Sequence, residues 1–482
     1  MILIVSLALF LRLFRIASYM TFLGDEGRDA LVWLRMVREG KLVLAGPATS
    51  IGYMYLGPLY YYLMVPFFFV LGTVGPSIGV AFFAGATIFL LWYVGKEWFS
   101  GKVGLVAALL YAISPVTIIL SHSSWNPNVM PLFALLAIWG IWQFWQKGKY
   151  YWLALEGVFL SFAIQSHYLG LLLVPIVSLF WIILLFNLMK SKNKRLKEFL
   201  VYSVLCALCF VLLTVLPLVW FDLRHNFLNY KAFSIFFTYR QSTVNLKVYK
   251  AIPNLWPLWQ MMVTRLVAGK NALAGFWSAI GIAVLLLRPA KKKAYLLVLA
   301  WVFIGLLGMG LYKQHIYDHY FGFLFPVVFL LTGIAWERLW LMAKPGKILA
   351  LGGLAMMIYL AFEACPLKEG PNFQMQHTAT VSQKIIEEAH GQPFNIGLIA
   401  KQNYDAGYRY FLEKTGYKPV MIDSQQSKET ITGQLFVVCE ESICEPTTHP
   451  QAEIANFGWS KIEEEWGFPW GVKLFKLVHV NK

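Results

Sequence analysis

Eleven apolar runs of membrane-spanning length constrain this chain more than any other feature of its sequence. Each can form a helix of about 18 or more residues, which is enough to cross the hydrocarbon core of a bilayer. The 482 residues are 58% hydrophobic and only 14% charged, a composition typical of a polytopic membrane protein. The sequence therefore predicts an all-α polytopic membrane protein, with runs at residues 1–20, 78–95, 103–121, 128–145, 149–166, 168–189, 198–221, 271–288, 293–311, 319–342 and 346–363.

The distribution of positive charge predicts the orientation of these spans. The net charge of +16 comes from Lys and Arg spread among apolar runs, which disfavours nucleic-acid binding. Alternate connections are basic, as expected for loops on the cytoplasmic side. This alternation places residues 21–77, 222–270 and the tail outside. This assignment requires the 16-residue run 57–72, which Pro58 and Pro66 interrupt, to be re-entrant or interfacial. The number of spans can be as high as thirteen.

The last 119 residues differ from the rest and predict a separate domain. Residues 1–363 form the transmembrane domain, whereas residues 364–482 hold 11 Lys or Arg and 14 Asp or Glu, which indicates a soluble domain. Helical and strand-like patterns alternate in this tail and predict a small α/β fold. Cys439 and Cys444 can pair if the tail lies in an oxidising compartment. Either a role in acceptor binding or a purely structural cap is compatible with this pattern.

The stretch FLGDEGRDA, directly after the first apolar run, holds two adjacent carboxylates, Asp25 and Glu26. Gly24 and Gly27 flank them and allow tight turns and close approach of a ligand. One interpretation is structural: Asp25 caps an amphipathic helix from Glu26 to Glu39 that lies flat in the interface, and Glu26 interacts with the helix dipole. The other is catalytic, because few other carboxylates on the outer side can act as a base.

Aromatic and cationic residues predicted on the outer side are candidates for binding a sugar phosphate. A leaving phosphate needs hydrogen-bond donors or cations, and a sugar ring packs on aromatic faces. His315 and His319 are four residues apart, which places them on one helical face, and they also resemble a pair of ligands for a divalent metal. The substrate-binding candidates are Arg28, Tyr61, His122, Asn126, Asn128, His167, Tyr168, Arg240, Arg265, Lys270, His315, His319 and Tyr320.

Several motifs together resemble a known family. LRLFRI, GDEGRDALVWLRMVREG, LGPLYYYLMVPFFFVLG and KEWFSGKVGLVAALLYAISPVTIIL resemble the GT-C glycosyltransferases, in particular the protein O-mannosyltransferase and lipid A aminoarabinose transferase branch. The resemblance implies a GT-C fold of eleven to thirteen spans, an outward-facing catalytic cavity and a polyprenyl-phosphate-sugar donor. It also implies that Asp25 is the base for inverting hexosyl or pentosyl transfer, and that Glu26 holds the acceptor or an ion. It further implies a basic residue at the end of a span, and His167 is the residue at that position in this sequence.

The resemblance also has limits. In SHSSWNPN, Asn126 and Asn128 stand where the aminoarabinose branch usually has an acidic residue, so amide donors to a neutral sugar are an alternative. The acceptor can be a hydroxyl or phosphate on a lipid, glycan or protein, in a bacterial or archaeal cell membrane. A transporter or scramblase for lipid-linked sugars is the competing interpretation, since the intramembrane residues Arg12 and Glu156 can mark a pathway.

Overall fold

The computed structural model describes two compact units. The membrane unit contains Met1–Ile16 and Leu42–Gly370, and the tail unit contains Ala17–Lys41 and Pro371–Lys482. The segment that carries Asp25 is therefore grouped with the C-terminal residues. The domain division predicted at residue 363 stays a prediction. The described residues are 1–49, 54–239, 243–245, 247–287, 293–423 and 425–480.

The membrane unit is built from apolar α-helices. The first half contains α1 (Ile2–Leu13), α4 (Leu59–Leu71), α5 (Gly75–Trp98), α6 (Gly101–Ile113), α7 (Pro115–His122), α8 (Met130–Trp145), α9 (Trp152–Ser166) and α10 (Leu173–Lys190). The second half contains α11 (Leu196–Phe210), α12 (Leu216–Arg224), α13 (Leu228–Tyr239), α14 (Ile252–Leu266), α15 (Ala272–Leu286), α16 (Lys293–Gly310), α17 (Phe325–Trp340) and α18 (Lys344–Glu363). Short 3₁₀-helices join several of them, among them Asn126–Val129, Tyr168–Leu172 and Asp318–Leu324.

The helix lengths bear on the predicted number of spans. In the described residues, seven helical segments are long and apolar enough to cross a membrane, or eight if the bent pair α6 and α7 forms one span. Three shorter apolar helices, α1, α9 and α15, lie in the remaining predicted runs. The mainly helical membrane fold is confirmed, whereas the count of eleven stays a prediction.

The run that interrupts the charge alternation forms a helical hairpin. A straight helix over Leu59–Trp98 would be about 60 Å long, roughly twice the hydrocarbon thickness. Instead the chain turns at Gly72, where φ is +64°, and α4 packs back on α5. The rings of Phe67 and Phe83 are 6.2 Å apart across the hairpin. The hairpin shows how α4 packs on α5, whereas the expectation that residues 57–72 are re-entrant or interfacial stays a prediction.

Arg12 occupies the break between α6 and α7. Pro115 begins α7, and the two helices meet at 57°, so carbonyl groups of the last turn of α6 lose their usual donors. The fully buried guanidinium of Arg12 donates to the carbonyl oxygens of Ala112 (2.8 Å) and Tyr111 (3.3 Å). It also donates to Thr117 Oγ1 at 3.0 Å. These bonds join α1, α6 and α7 in the protein interior.

The tail unit consists of a four-stranded sheet with helices around it. The strands follow the order β1-β2-β4-β3, in which β1 and β2 are parallel and the other pairs are antiparallel. Strand β1 lies in the strand-like stretch FNIGLIA and β2 in the strand-like stretch QLFVVC, whereas β3 and β4 lie outside the predicted strands. The elements are α2 (Ile16–Tyr19, at the unit boundary), α3 (Gly24–Glu39), α19 (Gln374–Ala389), β1 (Asn395–Ile399), α20 (Ala406–Lys414), α21 (Ser427–Thr430), β2 (Gln434–Cys439), α22 (Ala452–Phe457), β3 (Ser460–Gly467) and β4 (Lys473–His479).

Helix α3 packs on α20 within the tail unit. Its apolar residues Ala30, Leu31, Trp33 and Leu34 are buried. The backbones approach so closely that a Cβ atom on Gly27 would overlap the backbone of Gly407. Protein therefore covers part of the apolar face of this amphipathic helix, and its predicted position flat in the membrane interface stays a prediction.

The crossing of α5 and α6 gives a test of the packing. A Cβ atom on Gly104 would lie 2.9 Å from the backbone nitrogen of Lys96, whereas nothing lies within 4 Å of a Cβ atom on Gly101 in the same helix. We expect Gly104→Ala to destabilise the protein by about 1–3 kcal/mol through overpacking. Gly101→Ala should be neutral or stabilising by up to about 1 kcal/mol. Thermal unfolding in detergent measures both, and equal midpoints for the two variants would contradict this packing.

Candidate functional site

The start of α3 gives its two acidic residues different surroundings. Leu23 is the N-cap residue, and a carboxylate oxygen of Glu26 accepts the backbone N–H of Leu23 at 3.1 Å. The backbone N–H of Gly24 donates to Oδ1 of Asn403 at 2.8 Å. The prediction that Asp25 caps the helix is therefore wrong: Glu26 and Asn403 satisfy the first donors. Glu26 is nearly buried, and its predicted role in holding an acceptor or ion stays a prediction.

The carboxylate of Asp25 is oriented but accessible. Its Oδ1 accepts hydrogen bonds from Arg28 Nη1 and from the Tyr404 hydroxyl, both at 2.7 Å. Arg28 is held in turn by the buried Asp29, whose Oδ1 lies 2.8 Å from Arg28 Nε. The Asp25 side chain is 39% exposed, and within the described part of the chain its Oδ2 has no hydrogen-bond partner. One oxygen is thus fixed, and the other can accept a proton.

Tyr404 stays a donor to Asp25 over the physiological pH range. Partial burial raises the pKa of Tyr404, and the Asp25 carboxylate adds to this effect while Arg28 opposes it. The backbone N–H of Tyr404 also donates to Asn403 Oδ1 at 2.9 Å. Tyr404 therefore connects the α3 carboxylate to the loop after β1.

A polar network in the tail unit supports this loop. The side-chain amide of Asn403 donates to both oxygens of Glu440, at 2.9 and 3.1 Å. The hydroxyl of Tyr408 donates to the same carboxylate at 2.6 Å. Glu440 directly follows Cys439, which forms a disulfide with Cys444, so the predicted pairing occurs in the structure. The end of β2 thereby fixes the residue that orients both Gly24 and Tyr404.

The membrane unit gathers histidines and aromatic rings at the ends of its helices. The His319 ring lies 4.3 Å from the Trp125 ring and 4.6 Å from the Tyr320 ring, centre to centre. The His167 ring is 4.9 Å from Tyr320 and 5.8 Å from His319. Tyr317 stacks parallel to His319 at 5.8 Å. We call these five residues the histidine–aromatic cluster.

Hydrogen bonds fix the polar atoms around this cluster. Nδ1 of His167 accepts the backbone N–H of Leu169 at 3.2 Å, and the residue caps the helix Tyr168–Leu172. In the neutral ring the proton then lies on Nε2, which is a donor. Arg265 pairs with Asp318 at 2.7 Å, next to His319 in the chain. The structure therefore brings together the predicted residues His167, His319 and Tyr320, with Arg265 close by.

Other predicted binding residues are engaged elsewhere in the membrane unit. The His122 ring contacts the carbonyl oxygen of Leu11 at 3.2 Å and is buried. The amide of Asn126 donates to the Ser166 carbonyl at 2.6 Å. The amide of Asn128 donates to the Ser123 carbonyl at 3.0 Å. Each of these amides therefore uses one of its two N–H donors on a backbone carbonyl, and the expectation that Asn126 and Asn128 donate to a sugar stays a prediction.

The remaining candidates have varied surroundings. Tyr61 is buried and packs near Tyr60. The hydroxyl of Tyr168 donates to the carbonyl oxygen of Tyr55. Lys270 has a left-handed backbone and an exposed side chain. Arg240 lies outside the described residues.

The predicted metal pair lacks the expected geometry. The 3₁₀-helix begins at Asp318, so His315 precedes it and does not share a helical face with His319. In the described ranges, no group of three or more His, Cys, Asp or Glu residues is arranged to hold a metal ion. A site of the zinc type, which uses at least three protein ligands, therefore has no candidate there.

The sequence did not reveal several residues of these sites. Trp125 and Tyr317 lie within SHSSWNPN and QHIYDHY, and their aromatic type beside a histidine was the only signal. No sequence signal indicated Asn403, Tyr404 or Glu440, because they lie about 380 residues or more beyond Asp25 and come near it only in the folded chain.

Comparisons with known proteins identify the fold. The sequence model of the family described as dolichyl-phosphate-mannose-protein mannosyltransferase matches residues 56–220, about a third of the chain, which does not include Asp25. No curated protein gives a significant sequence match.

Solved structures match nearly the whole chain. ArnT from Cupriavidus metallidurans bound to undecaprenyl phosphate has a TM-score of 0.65 at 14% identity, covering 98% of this chain and 97% of ArnT. The oligosaccharyltransferase AglB from Archaeoglobus fulgidus, in complex with an inhibitory peptide and a dolichol-phosphate, has a TM-score of 0.52 at 12% identity, covering 90% and 68%. The arabinofuranosyltransferase AftD from Mycobacteria has a TM-score of 0.54 at 15% identity, covering 100% and 41%. The predicted resemblance to GT-C glycosyltransferases is confirmed.

The network around Asn403 yields a prediction about the start of α3. In Asn403→Ala the backbone N–H groups of Gly24 and Tyr404 lose an acceptor, and Glu440 loses a donor. We expect a loss of about 1–3 kcal/mol in local stability. Hydrogen exchange at the Gly24 amide should become faster. Asn456→Ala, which removes an exposed bond to Ala452, is the control, and unchanged Gly24 exchange in Asn403→Ala would refute the capping role.

Proposed function

We propose that this chain, which has the GT-C glycosyltransferase fold, is a membrane glycosyltransferase with a polyprenyl-phosphate-linked monosaccharide as donor. The acceptor is a hydroxyl or phosphate group of a lipid, glycan or protein, and transfer inverts the anomeric carbon. The accessible Oδ2 of Asp25 carries this proposal, because two donors orient the carboxylate through Oδ1 and leave Oδ2 open to a proton. The donor class is supported by the undecaprenyl phosphate bound to the similar ArnT.

The reaction needs one base and one set of donors. Asp25 takes the proton of the acceptor hydroxyl as the acceptor oxygen attacks the anomeric carbon. The bond between that carbon and the phosphate oxygen breaks, and the electron pair stays on the phosphate. Attack opposite to the leaving group inverts the configuration. Arg28 and Tyr404 act on Asp25 through its other oxygen and hold its orientation.

The leaving phosphate gains negative charge and requires donors beside it. We assign this role to Nε2 of His167 and to His319 in the histidine–aromatic cluster, with Trp125, Tyr317 and Tyr320 as the surfaces for the sugar. Ligand sites of this kind combine aromatic walls with a few polar groups, as this cluster does. The partly exposed Trp125 provides a face for the sugar ring.

The active site is proposed to lie on the extracytoplasmic side of the membrane. The basic connections mark the opposite side as cytoplasmic. The disulfide between Cys439 and Cys444 supports an oxidising compartment for the tail unit.

The competing transporter interpretation depended on Arg12 and Glu156. Arg12 makes five hydrogen bonds to residues of α1, α6 and α7, which is a structural role rather than a transport pathway. Glu156 is fully buried in α9 and gives no access to a substrate.

The base role of Asp25 predicts a large loss of rate in Asp25→Asn. The amide oxygen can still accept from Arg28 and Tyr404, so the fold and donor binding should persist while transfer falls by about 10²–10⁴-fold. Transfer from polyprenyl-phosphate-linked mannose and glucose by the purified chain measures this. Transfer of sugar at the native rate by the Asp25→Asn protein would contradict the proposal.

Two further acids of α3 serve as controls for Asp25. Glu26→Gln keeps an oxygen for the Leu23 N–H and should lose less than about tenfold, since that bond does not need a charge. Glu39→Gln changes an exposed acid at the far end of the helix and should be active. Loss in Glu26→Gln as large as in Asp25→Asn would instead assign chemistry to both carboxylates.

His167→Asn tests the proposed phosphate contact. Asn is a good N-cap residue, so the bond from Leu169 is retained while the Nε2–H donor is lost. We expect kcat/KM for the donor to fall about 10–100-fold. The exposed His390, with φ of +48°, tolerates Asn and provides the control variant His390→Asn. Native kinetics in His167→Asn would exclude this residue from phosphate binding.

A further inference from the structure

An apolar cavity of about 140 Å³ lies between α6, α15, α17 and α18 of the membrane unit. Its walls include Ile282, Leu285, Leu339 and Met357, and its polar side chains are hydroxyls such as Thr332. A cavity of roughly 150 Å³ with such walls stays dry and holds an apolar molecule of about six carbon atoms. The cavity can therefore hold a short segment of an acyl chain but not a sugar.

The cavity extends from the middle of its helices toward one end. Leu285 is next to the last residue of α15, Leu339 is next to the last residue of α17, and Leu349 lies in the second turn of α18. All three ends belong to the side of the membrane that the basic connections mark as cytoplasmic. An acyl chain in this cavity would thus belong to a lipid of the inner leaflet.

Cationic residues lie at the same ends of these helices. The guanidinium of Arg338 donates to the carbonyl oxygen of Leu285, and it lies 4.9 Å from the Tyr295 ring. Lys102 lies 5.1 Å from the Trp340 ring. Trp340 stacks at 5.2 Å on Trp336, which lines the cavity. The exposed Lys344 and Lys347 begin α18.

We propose that this cavity binds one acyl chain of an anionic phospholipid, whose headgroup phosphate is held by Arg338 and the neighbouring lysines. The apolar walls account for the chain, and the cations account for the headgroup charge. Uncharged or zwitterionic phospholipids would gain the chain contacts alone. The site takes an inner-leaflet lipid and does not depend on the proposed transfer reaction.

Two neighbouring glycines of α18 allow the cavity to be filled without disturbing the helix. Gly353 lines the cavity and Gly352 does not, and nothing lies within 4 Å of a Cβ atom on either residue. Gly353→Leu and Gly352→Leu therefore add the same side chain to the same helix. The leucine at position 353 fills the cavity, and the leucine at position 352 does not. Gly281 on α15 offers a second filling variant, since it also lines the cavity with open space at its Cβ.

Native mass spectrometry of the delipidated full chain tests the proposal, with dioleoyl phosphatidylglycerol and dioleoyl phosphatidylcholine as probes. We expect one phosphatidylglycerol per chain to bind at least about 5-fold more tightly than phosphatidylcholine, since each nearby cation contributes on the order of 1 kcal/mol. Gly353→Leu should weaken phosphatidylglycerol binding about tenfold, and Gly352→Leu should leave it unchanged. Arg338→Gln should reduce the preference for phosphatidylglycerol, and Lys190→Gln, an exposed cation at the end of α10, should not.

Several results would overturn the proposal. Equal affinity for the two lipids would contradict the headgroup site. Native phosphatidylglycerol affinity in Gly353→Leu would contradict binding of the acyl chain in the cavity. Should Gly353→Leu fail to fold, Gly281→Leu provides the same comparison. Undecaprenyl phosphate that binds in place of phosphatidylglycerol and is lost in Gly353→Leu would assign the cavity to the donor lipid instead. Activity of Asp25→Asn has no bearing on any of these outcomes.

Discussion

The architecture of the membrane unit depends on satisfying backbone hydrogen-bonding groups where water is scarce. An unpaired carbonyl in hydrocarbon costs several kcal/mol, so a broken helix needs substitute donors. Pro115 breaks the pair α6 and α7, and Arg12 donates to the carbonyls of Tyr111 and Ala112. A cation within an apolar helix is thereby a structural element. The side-chain amides of Asn126 and Asn128 likewise donate to backbone carbonyls.

Most of the helical membrane architecture could be predicted from the sequence, because long apolar runs can be satisfied only by helices or closed barrels in a bilayer. The hairpin of α4 and α5 was partly predictable from Pro66 and from the charge alternation. The partner of α3 was not, because its amphipathic pattern fits a lipid surface and a protein surface equally well. The α20 residues that cover it are more than 360 positions away in sequence.

The candidate site shows where residue types are informative and where they are not. His167, His319 and Tyr320 were predicted from their type at helix ends, and their rings lie together. His122 was predicted on the same grounds but contacts a backbone carbonyl instead. Sequence alone cannot tell a polar side chain that serves the protein backbone from one that faces a ligand. The orientation of Asp25 by Tyr404 depends on a tertiary contact and has no local signal.

The packing of α3 on α20 has a consequence for biosynthesis. The ribosome completes α3 at Glu39 but does not reach the end of α20 until Lys414. At a synthesis rate of about 5–20 residues per second, α20 is completed on the order of tens of seconds after α3. During this interval Trp33 and the other apolar residues of α3 have no α20 to cover them, so they are exposed to water unless another apolar surface covers them.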